Sequence, residues 1–125
     1  MILDTNALSA WLDGDHAIES MLTAATRVVL SAIVMGEYRF GILFSRHRAE
    51  YEQRLVLVES ELPVIAIDSE TAGHYAAIRS ELKGAGTPIP WHDIWISGQA
   101  RQHAMPVLSR DTHFDHVHGI TRLTW

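Results

Sequence analysis

The sequence contains no cysteine, which excludes disulfide frameworks, thiolate zinc sites and cysteine nucleophiles. It also has no apolar run near the roughly 18 residues of a membrane span, since the stretch from Val28 to Gly36 is short and is followed at once by Glu37. A secretory signal's basic region and cleavage site are missing too, because Met1-Ile2-Leu3 runs straight into Asp4, and a cytoplasmic protein is expected. Positive charge is scarce: 10 Lys and Arg stand against 15 Asp and Glu, a net charge of -5. That balance argues against a broad, permanently basic nucleic-acid face, though not against a metal-mediated nucleic-acid enzyme. Lysine occurs only at Lys83, and the other cations are arginines, which favour bidentate contacts to carboxylate or phosphate. No Walker loop, dinucleotide fingerprint or Ser-His-Asp arrangement is visible.

What is present is 125 residues, 47% hydrophobic and 20% charged, the composition of one globular domain spanning 1–125. A chain of this size can bury roughly two thirds of its unfolded surface, so its core needs no staple. Short apolar runs alternate with longer helical patterns. Met1-Ile2-Leu3, Val28-Val29-Leu30, Val64 to Ile67, Val107-Leu108 and Ile120 to Trp125 read as strands. Helices are expected over Thr5 to Leu12, about Ala17 to Ala25, Ala32 to Phe44 behind the N-cap Ser31, Arg48 to Glu61 before Pro63, Asp68 to Lys83, and Trp91 to His103. Gly84, Gly86, Pro88 and Pro90 mark the one obvious loop. The alternation predicts an α/β fold, a three-layer α/β/α sandwich on a sheet of four or five mostly parallel strands. Ligands of such sheets sit beyond the carboxyl ends of the strands.

Four acids fall where a carboxylate is costly or where a ligand should sit. Asp4 and Asp111 each follow a strand, at the crevice, although each also stands where an N-cap would. Glu37 has Ile33, Val34, Phe40 and Gly41 as its helical neighbours, so it is expected to be buried, and a buried charge is paired or holds a metal. Arg39 lies on the wrong side to pair with it, and Arg46 lies beyond the helix end. Asp93 suits the first turn of its helix for dipole reasons, and it also shares a face with Ile96, Ser97, Ala100 and Ala104, a packed surface.

The remaining acids have plainer roles. Asp68 opens its helix as a cap, Asp13 and Asp15 flank a turn glycine, and Glu50, Glu52, Glu59, Glu61 and Glu81 belong to mixed-charge solvated faces. His113, His116 and His118 cluster with Asp111 and Asp115, but their spacings of three and two do not match a helical zinc pair, so a chance surface cluster is the better reading. Trp91 and Trp95 could stack an RNA base or anchor a dimer, with packing as their default role.

Four blocks then stand in order: Ile2-Leu3-Asp4-Thr5-Asn6; Ser31-Ala32-Ile33 with Glu37; Pro90-Trp91-His92-Asp93-Ile94; and Leu108-Ser109-Arg110-Asp111-Thr112-His113-Phe114. Together they cover nearly the whole chain, and the ensemble resembles a PIN-domain ribonuclease of the VapC toxin type. The resemblance implies an α/β/α PIN fold and a metal site in which Asp4, Glu37, Asp93 and Asp111 match the family's acidic positions. Asn6 and Ser109 match polar residues that support them. It further implies structured RNA, such as transfer or ribosomal RNA, as substrate, a cognate antitoxin covering the site, and a homodimer. This chain departs from the pattern at His92, where a small polar residue is more usual, and in the bulk of Trp91 and Trp95.

Four carboxylates in one crevice raise one another's pKa unless a cation compensates, and hard oxygen donors select Mg²⁺ or Mn²⁺. Such ions acidify a bound water and offset charge on the attacking and leaving oxygens of a phosphodiester. On this reading Asp4, Asp93 and Asp111 are chiefly ligands, and Glu37 binds a second ion or accepts the proton. Arg39, Arg46, Arg48, Arg101 and Arg110 could contact RNA phosphates or the antitoxin, or could simply face solvent or acidic partners. Two other classes are weighed against the nuclease. A catalytically silent PIN-like module assembling with a DNA-binding partner would be expected to have lost an acid. An aspartyl-phosphate phosphatase using Asp4 wants an Asp two residues on and a nearby lysine, where this chain has Asn6 and the distant Lys83.

Overall fold

The computed structural model describes residues 1–125. The chain runs β1 (Ile2–Leu3), α1 (Thr5–Leu12), α2 (His16–Ala24), β2 (Val29–Ser31), α3 (Ala32–Ile42), α4 (Arg48–Glu61), β3 (Val64–Ile65), α5 (Ser69–Ala85), α6 (Trp91–Gln102), β4 (Val107–Leu108), a 3-10 turn (Thr112–His116) and β5 (Arg122–Leu123). The expected α/β/α architecture is present, and all five strands are parallel, in the order β3-β2-β1-β4-β5. The central strands are apolar on both faces, as a sheet covered by helices requires: Ile2, Leu3, Val29, Leu30, Val107 and Leu108 are fully buried. Each such side chain contributes about 1.5–3 kcal/mol by leaving water.

Local chemistry explains the ends of the elements. Ser31 caps α3 by accepting from the Ile33 N–H at 3.1 Å. Asp68 caps α5 in a reciprocal box with Thr71, and Gly86, in the left-handed region at φ 70°, ends that helix two residues beyond the expected Lys83. The third strand stops at Ile65 and the last covers only Arg122–Leu123, both shorter than their apolar runs suggest. Ala104, expected on the Asp93 face, instead leaves α6 with φ 50° and is exposed.

The topology positions the site. From the central β1 the chain winds outward through β2 and β3, then returns to place β4 on the other side of β1. Connections therefore leave β1 and β4 in opposite directions, and the crevice of such sheets opens at that switch point. Asp4 follows β1 and Ser109 follows β4, with the ladder continued by the Asp4 N–H on the Leu108 carbonyl at 3.1 Å. α5 and α6 pack closely, since a Cβ placed on Gly98 would meet the Thr71 carbonyl oxygen at 3.3 Å.

Candidate active site

Asp4 occupies the N-cap position of α1, yet its side chain makes no capping hydrogen bond. The carboxylate turns into the crevice instead, where Oδ2 accepts from Asn6 Nδ2 at 2.6 Å and from Ser109 Oγ at 2.7 Å. The Ser109 hydroxyl is fully engaged, because it also accepts from Asn6 Nδ2 at 3.0 Å and from the Asp111 N–H at 2.9 Å. Asn6 Oδ1 accepts the Arg110 N–H at 3.1 Å, so both ends of this amide tie the β1 and β4 loops together. Only 5% of Asp4 is exposed. Burial pushes its carboxyl up to about 6, outweighing the Ser109 bond, and the charges of Asp93 and Glu37 push the same way.

Asp93 sits in the first turn of α6 and is 3% exposed. Burial raises its carboxyl above the usual range, the His113 hydrogen bond opposes this, and the charge of Asp111 adds to it. Its Oδ2 lies 3.0 Å from His113 Nδ1, and its Oδ1 lies 3.4 Å from His92 Nε2. Asp111 caps the 3-10 turn through the His113 N–H at 2.9 Å while its Oδ1 also lies 3.1 Å from His113 Nδ1. Cap and crevice are the same position here. Asp93, Asp111 and His113 each offer a ligand atom, all within 4.8 Å of one another.

Glu37 corrects one expectation. It is only partly buried, because its apolar surround is covered on one side only: Val34 is fully buried, whereas Phe40 is 67% exposed. No arginine pairs with it. Its Oε2 accepts from Thr5 Oγ1 at 2.6 Å, and its Oε1 lies 3.5 Å from His92 Nε2. Glu37 thus stands at the mouth of the crevice, with Asp4 and Asp93 deeper in.

Four of the five arginines expected at an RNA or antitoxin contact are ion-paired within the chain. Arg39 makes two bonds to Glu59, Arg48 pairs with Glu52, Arg101 with Glu81, and Arg110 with Asp15 while lying over the Trp125 ring. Each of these four has a carboxylate partner within the chain; Arg46 has none. His116 and His118 are exposed, and neither joins the group formed by Asp93, Asp111 and His113. Sequence reasoning missed Thr5, His92 and His113 as crevice residues. The available signals were the position of His92 beside Asp93 and of His113 two residues after a capping Asp, a spacing that folds the imidazole back over the cap.

The donor set fits a divalent cation. Hard carboxylate oxygens converge with one imidazole, and two of the acids, Asp4 and Asp93, are held where burial disfavours their charge, a cost that a cation would offset.

A PIN domain profile matches residues 1–120. The chain belongs to the PIN-domain family, in its VapC branch. Toxin FitB of Neisseria gonorrhoeae is 33% identical, with 90% of this chain and 88% of that protein covered. A tRNA(fMet)-specific endonuclease VapC of Salmonella typhimurium is 28% identical over 99% of this chain and 96% of its own. Among solved structures, the DNA-bound VapBC complex from Salmonella typhimurium superposes with a TM-score of 0.83 at 29% identity, covering 99% of this chain and 96% of that one. In this PIN domain no helix is long and apolar enough to cross a membrane.

Proposed function

We propose that this PIN domain is an Mg²⁺- or Mn²⁺-dependent endoribonuclease, the cytoplasmic toxin of a toxin–antitoxin pair, acting on structured RNA such as transfer or ribosomal RNA. The carrying observation is electrostatic. Asp4, Glu37, Asp93 and Asp111 share one crevice closely enough that Asp93 and Glu37 raise Asp4, and Asp111 raises Asp93. Without a cation such mutual repulsion is costly, and with one the site suits hydrolysis of a phosphodiester.

In this site Asp4, Asp93 and Asp111 would hold the cation. A bound divalent ion supplies acidification of water and neutralises charge on a phosphodiester. Asn6 and Ser109 fix the orientation of Asp4 Oδ2 through their two hydrogen bonds. Glu37, partly exposed and steered by Thr5 Oγ1, would accept the proton of the attacking water at Oε1, the oxygen that Thr5 leaves free. His113 Nδ1 bridges Asp93 and Asp111 and keeps their carboxylates facing one another.

Support for the partner comes from relatives: the solved neighbours include VapBC and FitAB assemblies, so a cognate antitoxin is part of the proposal; a homodimer is proposed on the family resemblance alone. The named activity of the Salmonella relative supports RNA as substrate. An aspartyl-phosphate role for Asp4 is disfavoured, because the chain's one lysine, Lys83, lines a cleft with Arg79 rather than flanking Asp4.

The test is cleavage of total cellular RNA by purified, antitoxin-free protein in Mg²⁺, Mn²⁺ or EDTA, with Asp93→Asn alongside. Discrete, EDTA-sensitive cuts that the variant loses by at least about a hundredfold are expected, the scale of one electrostatic contributor to a transition state. A folded wild-type protein that cleaves nothing under any of these metal conditions would overturn the reading.

A further inference from the structure

The loop after β4 carries three groups that meet in the crevice: the Ser109 hydroxyl on Asp4, the Asp111 carboxylate, and the His113 imidazole beside Asp93. From the crevice side its backbone is tied by the Arg110 N–H on Asn6 Oδ1 and by the Asp111 N–H on Ser109 Oγ. These backbone ties end at Asp111. The chain then enters the short 3-10 turn (Thr112–His116), a form whose poorer hydrogen-bond geometry gives it little rigidity of its own. Phe114 anchors the apolar side of that turn in the core.

The polar side is held by one residue of the last strand. Arg122 stands on β5 opposite Val107 of β4, and the Ser109 N–H on the Leu123 carbonyl at 2.9 Å continues that ladder. Its guanidinium reaches across the loop. Nη1 donates to the Ser109 carbonyl oxygen at 3.2 Å, while Nε and Nη2 donate to Oδ1 and Oδ2 of Asp115, each at 2.8 Å. All three guanidinium nitrogens are engaged. One side chain thus joins the residue two before Asp111 to the residue four after it, and His113 lies within the same span.

This contact is poorly placed to serve stability. The Asp115 side chain is 49% exposed, and ion pairs in contact with water contribute little. What the planar fork adds is geometry, because two parallel bonds fix a carboxylate's orientation as well as its distance. The bonds and charge of Asp115, and after them the charge of Asp111, hold the guanidinium above its ordinary range, so this cation lies within the field of the acids. A fixed positive charge there opposes a divalent ion, and its presence beside a cation site calls for a reason other than charge.

We propose that Arg122 is a positioning residue of the cation site, bracketing the loop from Ser109 to Asp115 so that Asp111 and His113 face Asp93. The inference rests on the cation-site reading above and adds to it a residue that lies outside the crevice. Arg122 touches neither ion nor RNA in this role; it acts through the place it gives to Asp111. Lysine cannot substitute, since a single ammonium does not reproduce a fork that holds both oxygens of Asp115 and the Ser109 carbonyl together.

The test is binding of Mn²⁺ and Mg²⁺ to the full chain without RNA, by calorimetry for both ions and by the EPR signal of free Mn²⁺. Arg122→Ala should weaken Mn²⁺ binding about 10- to 100-fold, the range for losing a group that orients a ligand, and Arg122→Lys should recover little of it. The sign is diagnostic, because removing a positive charge near the acids tightens cation binding if the field alone matters. A double-mutant cycle locates the effect. Asp111→Asn should cost at least about fivefold less in the Arg122→Ala background than in wild type, since that carboxylate is already displaced. Asp115→Ala breaks the same bracket at an exposed side chain and should show the same non-additivity with Asp111→Asn, which keeps the test decisive if Arg122→Ala does not fold. Wild type that binds Mn²⁺ while Arg122→Ala binds it equally or more tightly, or losses that simply multiply in both cycles, would overturn the bracket and leave the cation site standing. Folded wild type that binds neither ion would overturn the cation site, and the bracket with it.

Discussion

Replacing Asp4 by Asn should stabilise the metal-free protein. Burial raises the carboxyl from an ordinary 3.8 to about 6, and at about 1.4 kcal/mol for each tenfold change in proton affinity this amounts to about 3 kcal/mol. The folded chain holds this proton at pH values where the unfolded chain has released it. Stability from Asp4 is therefore fully present below the unfolded value of 3.8, falls as pH rises through the window to about 6, and stays low above it. Asparagine is neutral throughout, and its carbonyl oxygen can still accept from Asn6 Nδ2 and Ser109 Oγ. In EDTA at about pH 8 the variant should exceed wild type by up to about 3 kcal/mol in urea unfolding, a gap that closes toward pH 4. Taking the difference between the two proteins at each pH cancels the acids that do not act on Asp4, such as Asp68 and Asp115, both lowered by hydrogen bonds. Adding Mg²⁺ should narrow the gap, because a ligand that binds only the folded state raises stability and wild type holds it better. Equal stability at high pH, or a gap that ignores pH, would refute the account of Asp4 as a buried charge awaiting a cation.

Ser109→Ala removes the donor to Asp4 and the acceptor for the Asp111 N–H; it should cost about 1–3 kcal/mol in urea unfolding and move the acid limb of the pH–cleavage profile upward, since Asp4 loses the bond that lowers it. An unchanged profile would mean that Ser109 does not act on Asp4. Gly98→Leu drives a side chain into the Thr71 and Tyr75 backbone, 3.3 and 3.4 Å from the first added carbon, and should lower stability by about 2 kcal/mol or more by overpacking. Gly98→Ala should cost less, because the gain of about 1 kcal/mol in helix propensity works against the clash, and thermal melts of the pair separate the two effects.

Most elements were legible because their ends carry strong local chemistry. Ser31, Asp68 and Pro63 mark boundaries through capping or a missing N–H, effects that act within a few residues. Asp4, Asp93 and Asp111 were legible because strand ends and a helix start converge at one crevice in a parallel sheet. Glu37 shows the limit: helical spacing reveals an apolar surround but not whether another element covers it, and Phe40 and Phe44 are left uncovered. The arginine ion pairs were hidden for a related reason, since Arg39–Glu59 and Arg101–Glu81 join residues 20 apart, beyond the reach of helical spacing. The contacts of Thr5 with Glu37 and of His113 with Asp93 likewise exist only after the elements are packed.

The hydrogen bond between Asp4 and Ser109 joins residues 105 apart in the chain. At roughly 5–20 residues per second on a ribosome, the 105 residues between them take on the order of 5–21 s to appear. Until then β1, a central strand of the finished sheet, lacks β4 on one side, and Asp4 lacks the hydroxyl that aims it. The carboxylate of Asp4 therefore gains the hydroxyl that orients it only once the chain has been made as far as Ser109.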